Sequence, residues 1–181
     1  QCFRWKKTPD GLWEGVVHGV LLRVRQQQDR LLFYGLDGQT FLQVAFPYFD
    51  FGTDYAAINR QILKDPVLRP ARDYAPGIRI LRQDPFECLC TFIISQNNNI
   101  PRICGIVDRL CTLYGAPAKG GGYAFPTPEV FATMTEEQFA PLRCGFRQKY
   151  LRDMGRKLCD GTVQLAAVQA LPLPEAREHL M

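Results

Sequence analysis

Two amphipathic segments lie on either side of three consecutive asparagines, and this arrangement limits the fold more than any other feature of the sequence. The first segment has apolar residues spaced as on one face of an α-helix: Phe86, Leu89, Cys90, Ile93 and Ile94. The second, over residues 103–114, has helical spacing as well. The sequence therefore predicts a helical hairpin with buried apolar faces and an exposed turn at Asn97-Asn98-Asn99.

Capping residues mark the ends of the predicted helices. Asp84 is the predicted N-cap of the first helix, with Pro85 at its first position and Glu87 completing a capping box. Gly115 ends the second helix. Further helices are predicted to begin at three later positions: Thr127, Thr135 and Pro174.

The N-terminal part of the chain has a different period. Residues 1–48 show the patterning of short strands, with hairpin turns at Asp10-Gly11 and Asp37-Gly38, and predict an antiparallel meander. Beyond this segment the period is helical. We therefore predict an α+β fold, in which an N-terminal antiparallel β-sheet domain (1–50) packs on an α-helical domain (51–181).

Positive charge is concentrated near one predicted helix. The net charge is +4, and residues 141–160 contain six basic residues against two aspartates, which equals the whole excess. Such a basic stripe is typical of a surface that binds a phosphate backbone, although a solvated helix face gives the same pattern. Lys149 and Arg152 are the candidates for phosphate contacts in this stripe.

The cysteines favour free thiols over a metal site. Four of the seven lie on or beside apolar helix faces, which is typical of buried thiols in a reducing compartment: Cys88, Cys90, Cys104 and Cys111. The sequence has no C-x-x-C pair, and both histidines lie far from any pair of cysteines. No apolar run approaches the roughly 18 residues of a membrane span. We expect no metal, no cofactor and no membrane partner.

Residues 97–102 form the first candidate binding segment. Asparagine side chains can pair with base edges, and Arg102 can donate two hydrogen bonds to a base or a phosphate. In the structural alternative, Asn97 caps the end of one helix and Asn99 the start of the next. Capping explains one or two of the three amides and leaves Arg102 unexplained. Asn98 and Asn99 are further candidates for phosphate contacts.

Gly145-Phe146-Arg147 form the second candidate segment, before a basic helix predicted over about 146–159. An exposed Phe146 can insert into a base stack, and Arg147 can hydrogen-bond what the insertion leaves unpaired. In the alternative interpretation, Phe146 is an ordinary core ring. The sequence has no P-loop, no nucleophile motif and no apolar pair of carboxylates, so it predicts a DNA-binding surface without an evident active site.

Three motifs follow one another along the chain: Gln1-Cys2-Phe3-Arg4-Trp5, residues 81–103, and Gly145-Phe146-Arg147-Gln148-Lys149-Tyr150. Together they resemble the 8-oxoguanine DNA glycosylase family of the helix-hairpin-helix glycosylase superfamily, and the similarity extends over almost the whole chain. The resemblance implies base-excision repair by a glycosylase with AP lyase activity. Such an enzyme flips 8-oxoguanine out of duplex DNA opposite cytosine and cleaves its glycosidic bond.

The resemblance also implies roles for matching positions. Asn97 would fill the gap left by the flipped base, Phe146 would be the wedge, and Arg102 and Arg147 would hydrogen-bond the orphaned cytosine. Phe146 stands where many relatives have Tyr, and Pro101 where some have Ala.

In the family, the helix-hairpin-helix motif, a Schiff-base lysine and an activating aspartate follow the segment that resembles residues 175–181. We therefore expect a fragment that contains no catalytic residue. Its expected partner is double-stranded DNA with 8-oxoguanine opposite cytosine, bound by an intracellular monomer in a bacterial cytoplasm or a eukaryotic nucleus. Two alternatives remain: an alkylated-base glycosylase of the same fold, and a non-catalytic DNA-binding module.

Overall fold

The computed structural model of the chain describes residues 3–180, so Gln1, Cys2 and Met181 lie outside the described residues, and with them the start of the N-terminal motif. An antiparallel sheet is followed by a series of helices, as the α+β prediction requires. The strands are β1 (Lys6–Lys7), β2 (Trp13–Val17), β3 (Val20–Gln27) and β4 (Arg30–Tyr34). The first helical elements are α1 (Gly38–Thr40), a π-helical turn (Phe41–Ala45), α2 (Phe46–Tyr48), α3 (Tyr55–Ile62) and α4 (Arg69–Tyr74). The later ones are α5 (Pro85–Ser95), α6 (Ile100–Tyr114), α7 (Pro128–Thr133), α8 (Glu136–Phe139), a 3₁₀ turn (Ala140–Leu142), α9 (Arg147–Cys159), α10 (Leu165–Ala170) and α11 (Leu173–Leu180).

The sheet is a meander in the order β1-β2-β3-β4 and ends at Tyr34. The expectation of strand structure up to residue 48 was wrong, because residues 38–48 are helical. Asp37 caps this segment by accepting a hydrogen bond from the backbone N–H of Thr40 at 2.7 Å. The Phe41 ring then packs edge-on against Phe33 of the sheet, with centroids 5.2 Å apart. Packing of these rings against the sheet favours a helical turn over another strand.

The chain has two apolar cores. The smaller one lies under the sheet and contains Val17, Leu22, Val24, Ala45 and Tyr48. The larger one is formed by α5, α6, α7, α8 and α9, with Phe131, Phe139, Ile106 and Leu151 fully buried. The apolar faces of α5 and α6 both contribute to the larger core, which confirms the predicted helical hairpin.

Contacts from distant parts of the chain join the sheet to the helices. The Arg4 guanidinium lies 3.2 Å from the Glu87 carboxylate on α5. The predicted capping box at Glu87 was therefore wrong in its second half: Asp84 does accept from the Glu87 N–H at 2.9 Å, but the Glu87 side chain pairs with Arg4 instead. The loop before α7 adds a second link, since the Leu21 N–H donates to the Lys119 carbonyl at 2.9 Å.

Helix α9 packs against α7 across a close contact at Gly155. A Cβ added at Gly155 would lie 2.8 Å from Phe131 Cβ and 2.7 Å from the Ala132 backbone nitrogen, so only glycine allows this approach. This packing fixes the position of α9 and of the turn that precedes it. No helix within residues 3–180 is both long enough and apolar enough to cross a membrane.

Candidate nucleic-acid interface

Two turns that are far apart in the sequence meet at one end of the helical core. The asparagine turn (residues 96–99) joins α5 to α6, and the aromatic turn (residues 143–146) precedes α9. Arg147 connects them: its guanidinium donates to the Gln96 carbonyl through Nε at 3.1 Å and to the Asn97 carbonyl through Nη2 at 3.0 Å. It also donates to the Cys144 carbonyl through Nη1 at 3.1 Å. The structure thus brings the two candidate segments into one surface.

Two of the three asparagines cap helices. The Asn99 side chain accepts from the Arg102 N–H at 3.0 Å and is the N-cap of α6, which confirms that prediction. At the end of α5, Asn98 rather than Asn97 donates its side-chain amide to the Ile94 carbonyl at 2.9 Å, so the capping role expected for Asn97 was wrong. Both amides are engaged in local structure, and their contacts to phosphate stay a prediction.

Asn97 is the asparagine that capping does not use. Its backbone is left-handed, with φ +46°, a conformation that asparagine tolerates better than most residues. The residue is exposed, and its side chain makes no hydrogen bond to any of residues 3–180. The Asn97 amide is therefore free to pair with an external group.

Phe146 is 55% exposed, so the alternative of a core ring was wrong. Gly145, with φ +61°, turns the chain immediately before it. The ring contacts Tyr150 edge-on, with centroids 6.5 Å apart, and the Arg147 guanidinium carbon lies 4.5 Å from its centroid. Tyr150 is itself 46% exposed. These contacts hold the two rings together at the surface.

Arg147 is only 3% exposed. Besides the bonds above, its Nη2 donates a second hydrogen bond to the Gln96 carbonyl. Four of the five N–H groups of a guanidinium are thereby bonded to backbone carbonyls, and one on Nη1 remains. Arg147 thus supports both turns. Its contact to cytosine stays a prediction, and the remaining N–H on Nη1 is the one donor that could make this contact without rearrangement.

The other candidate cations differ in exposure. Arg102 is exposed, and its Nη2 lies 3.4 Å from the Arg143 carbonyl. Lys149 is exposed with its Nζ 4.8 Å from the centroid of the Tyr150 ring. Arg152 is half-buried over the Phe139 ring, and its Nε and Nη2 are buried without a hydrogen-bond partner. Their contacts to DNA stay predictions.

The arginines around the two turns lack carboxylate partners as a group, whereas about half of the other arginines have one. Six of the other eleven lie within 4 Å of a carboxylate: Arg4, Arg23, Arg25, Arg60, Arg72 and Arg82. In the part of the chain that the structure describes, no carboxylate pairs with the arginines around the two turns, Arg102, Arg109, Arg143, Arg147 and Arg152. Unpaired cations grouped in this way create a positive potential that attracts a phosphate backbone.

Sequence reasoning missed two of these arginines. Arg109 donates from Nη2 to the Leu142 carbonyl at 2.8 Å and supports the aromatic turn from α6. Arg143 has a left-handed backbone with φ +55° and an exposed side chain. Arg109 does not stand out in the sequence because its role depends on a contact with a distant turn, and Arg143 is only one of the six basic residues in the stripe 141–160.

The lysines and the buried cysteines of the described residues differ in exposure. All six lysines are exposed: Lys6, Lys7, Lys64, Lys119, Lys149 and Lys157. Burial raises the pKa of the Cys111 thiol to about 11. Burial also raises the pKa of the Cys90 and Cys144 thiols, so these sulfurs remain protonated at neutral pH.

Two family models together match residues 1–178. Residues 1–89 match the 8-oxoguanine DNA glycosylase N-terminal domain, and residues 90–178 match the HhH-GPD superfamily base excision DNA repair protein. Among curated proteins, the chain is 31% identical over 187 residues to N-glycosylase/DNA lyase OGG1 of Arabidopsis thaliana, covering 95% of this chain and 47% of that protein. It is 37% identical over 120 residues to N-glycosylase/DNA lyase of Saccharomyces cerevisiae, covering 58% of this chain and 32% of that protein.

Solved structures give the same result. The structure of MBOgg1 in complex with a low-affinity DNA ligand has a TM-score of 0.91 at 40% identity, over 100% of this chain and 64% of that one. The Clostridium acetobutylicum 8-oxoguanine glycosylase/lyase, in complex with double-stranded DNA containing cytosine opposite 8-oxoguanine, has a TM-score of 0.91 at 35% identity, over 99% of this chain and 63% of that one. The chain thus spans about half the length of the Arabidopsis relative and under two thirds of these structures.

Proposed function

The chain belongs to the 8-oxoguanine DNA glycosylase family, and we propose that the full-length protein removes 8-oxoguanine from duplex DNA opposite cytosine. The 181 residues supply the surface that holds the DNA once the damaged base has left the helix. The protein acts in base-excision repair as an intracellular monomer.

One observation carries the proposal. A single buried guanidinium, that of Arg147, contacts both the Asn97 backbone, whose side-chain amide is free, and the exposed Phe146 ring. Extruding a base costs a few kcal/mol in lost stacking and pairing. Two contacts offset this cost. The Phe146 ring occupies the gap in the base stack, and the Asn97 amide takes the place of the extruded base.

In this proposal, hydrogen-bond donors of two arginines recognise the base opposite the lesion. Arg102 is exposed next to the asparagine turn, and Arg147 has one N–H left on Nη1. Cytosine presents O2 and N3 as acceptors on its pairing edge, so two guanidinium donors match it. Both bases also have an exocyclic amine on this edge, but adenine has only one acceptor there, N1, so one of the two guanidinium donors would lose its partner.

The bond-breaking groups lie outside these 181 residues in this proposal. The family's lysine attacks the sugar C1′, displaces the base and leaves an imine, from which β-elimination cuts the strand. In support, every lysine among residues 3–180 is exposed rather than held in an apolar pocket.

Excision by the full-length protein tests the function. Duplexes with 8-oxoguanine opposite cytosine or adenine are incubated under single-turnover conditions, and strand scission is measured with and without alkali to separate lyase from glycosylase activity. Faster release opposite cytosine is expected. Release of alkylated bases with no preference for cytosine would favour an alkylated-base glycosylase of the same fold.

Borohydride trapping tests where the nucleophile lies. The 181-residue chain, incubated with the lesion duplex and borohydride, is expected to give no covalent complex, while the full-length protein gives one. A complex formed by the 181-residue chain would place the nucleophile within it.

A further inference from the structure

Arg143 occupies a backbone conformation that does not suit an arginine. Among residues 3–180, five residues other than glycine have positive φ: His18, Gln28, Asp50, Asn97 and Arg143. Two of the five lie in the two turns that Arg147 joins. The Cβ of any residue other than glycine is crowded in the left-handed region. Asparagine offsets this cost because its short side chain can hydrogen-bond locally, whereas the long side chain of arginine does not.

The fold needs the conformation at residue 143 but not the arginine side chain. With φ +55° and ψ +35°, residue 143 ends the 3₁₀ turn Ala140–Leu142. Its carbonyl accepts from the Arg102 guanidinium at 3.4 Å, a contact that uses only the backbone. A glycine would adopt the same dihedral angles without steric cost.

The Arg143 side chain is exposed and unpaired. Within the described ranges it has no carboxylate, carbonyl or aromatic partner, in contrast to the neighbouring Arg109 and Arg147, which are bonded to carbonyls. It lies three residues before Phe146 and on the surface where unpaired cations are grouped. Strain that persists in a turn without a structural benefit is typical of functional positions.

We propose that Arg143 is a DNA-binding residue that contacts a backbone phosphate next to the base step opened by Phe146. This inference rests on the proposed function, because it takes the two turns as the DNA-binding surface. A guanidinium suits this role because it donates two parallel hydrogen bonds to phosphate oxygens and stays charged at all relevant pH values.

Salt-dependent binding of Arg143→Gly tests the proposal. Affinity of the full-length protein for a fluorescent duplex with 8-oxoguanine opposite cytosine is measured by anisotropy at several salt concentrations, with thermal unfolding measured in parallel. We expect the melting temperature to stay the same or rise, because glycine relieves the backbone. We expect affinity to fall about three- to tenfold and the slope of log K against log[salt] to become shallower by about 0.9, the contribution of one phosphate. Arg143→Lys keeps the charge and should keep the slope.

Two control variants separate the side chain's charge from its backbone. Gln28→Gly relieves the same left-handed conformation in an exposed hairpin, and Arg30→Ala removes an exposed arginine of the sheet. Neither should change the salt slope. If the unchanged protein binds the duplex and Arg143→Gly binds it with the same affinity and slope, the inference about Arg143 is wrong. If the unchanged protein does not bind the duplex, the proposed function itself fails.

Discussion

The Arg147 guanidinium donates a hydrogen bond to the backbone carbonyl of Asn97 at 3.0 Å, although the two residues are 50 positions apart in the sequence. The same guanidinium carbon lies 4.5 Å from the Phe146 ring. One buried cation thus contacts the backbone of the asparagine turn and the exposed ring of the aromatic turn. If the two turns bind DNA as proposed, holding them in place beforehand reduces the ordering cost of binding, and this role of Arg147 requires no contact to a base.

Arg147→Ala should damage both stability and selectivity. The substitution leaves the carbonyls of Gln96, Asn97 and Cys144 without their charged donor, and we expect the free energy of unfolding to fall by about 2–4 kcal/mol. It should also relax the preference for cytosine opposite the lesion more than it weakens general DNA binding. Urea unfolding and excision opposite each base measure the two effects.

Arg147→Lys is the matched variant, because it keeps the charge but cannot bridge three carbonyls. It should recover duplex affinity without recovering base selectivity. An equal loss of binding to all duplexes in Arg147→Ala, with stability unchanged, would contradict the account of this residue.

Phe146→Ala should lose function at little cost in stability. The ring is 55% exposed, so its removal is expected to change the free energy of unfolding by no more than about 0.5 kcal/mol. Excision of 8-oxoguanine should slow because nothing occupies the opened step, and Phe146→Tyr should restore it. Tyr74→Ala is the control, since Tyr74 is an aromatic side chain 92% exposed on α4. Equal rates for Phe146→Ala and Tyr74→Ala would argue against a wedge.

Gly155→Ala should destabilise the chain through α9. Its Cβ would meet Phe131 Cβ at 2.8 Å and the Ala132 nitrogen at 2.7 Å, and overpacking of this kind costs about 1–3 kcal/mol. Gly105→Ala is the matched change inside α6, where the Cβ meets only the flexible end of Arg109 at 3.3 Å. Since alanine forms helix better by up to about 1 kcal/mol, Gly105→Ala should be neutral or stabilising. Thermal unfolding of both variants checks the prediction, which fails if Gly155→Ala unfolds no earlier than Gly105→Ala.

The Arg4–Glu87 pair predicts how the stability of the protein changes with pH. Burial raises the pKa of the Glu87 carboxyl above its ordinary value of 4.5, although Arg4 opposes the shift. At pH values between 4.5 and the native pKa, the native state therefore keeps this proton, whereas the unfolded chain has lost it. The resulting stabilisation is complete below about pH 4.5 and is lost as pH rises through the native pKa. Relative to Glu87→Gln, the unchanged protein should become less stable as pH rises from 4.5.

Glu129 provides the control of opposite sign. A hydrogen bond from the Thr127 side chain lowers the pKa of its carboxyl below 4.5, so its stabilisation is present above that pH and is lost on acidification. Relative to Glu129→Gln, the unchanged protein should gain stability as pH rises. Urea unfolding across the acidic range measures both differences, and the same sign for both pairs would refute this assignment.

The features that the sequence predicted correctly depend on neighbouring residues. Asp84 and Asn99 cap their helices through contacts three residues away, and Thr135 forms a full capping box with Gln138. The helical hairpin and α9 follow from apolar spacing within single segments.

The features that the sequence could not predict depend on distant residues. Glu87 pairs with Arg4, 83 positions away, and Arg147 is buried because it meets carbonyls some 50 positions away. Residues 38–48 become helical because their rings pack on the sheet, which a local pattern does not specify. The exposed asparagine turn could be predicted, whereas the burial of Arg147 against the carbonyls of both turns could not.

Asn97→Ala tests the central claim most directly. The side chain is exposed and makes no hydrogen bond to residues 3–180, so its loss should cost only the strain of an alanine in the left-handed region, about 1–2 kcal/mol. The measurement is the ratio of single-turnover excision rates for 8-oxoguanine opposite cytosine and opposite adenine, in the full-length protein with and without the substitution. If the two turns read the base left behind, the ratio should fall roughly tenfold, in line with the 1–3 kcal/mol of one bidentate contact. An unchanged ratio in a variant that remains folded at the assay temperature would contradict the account.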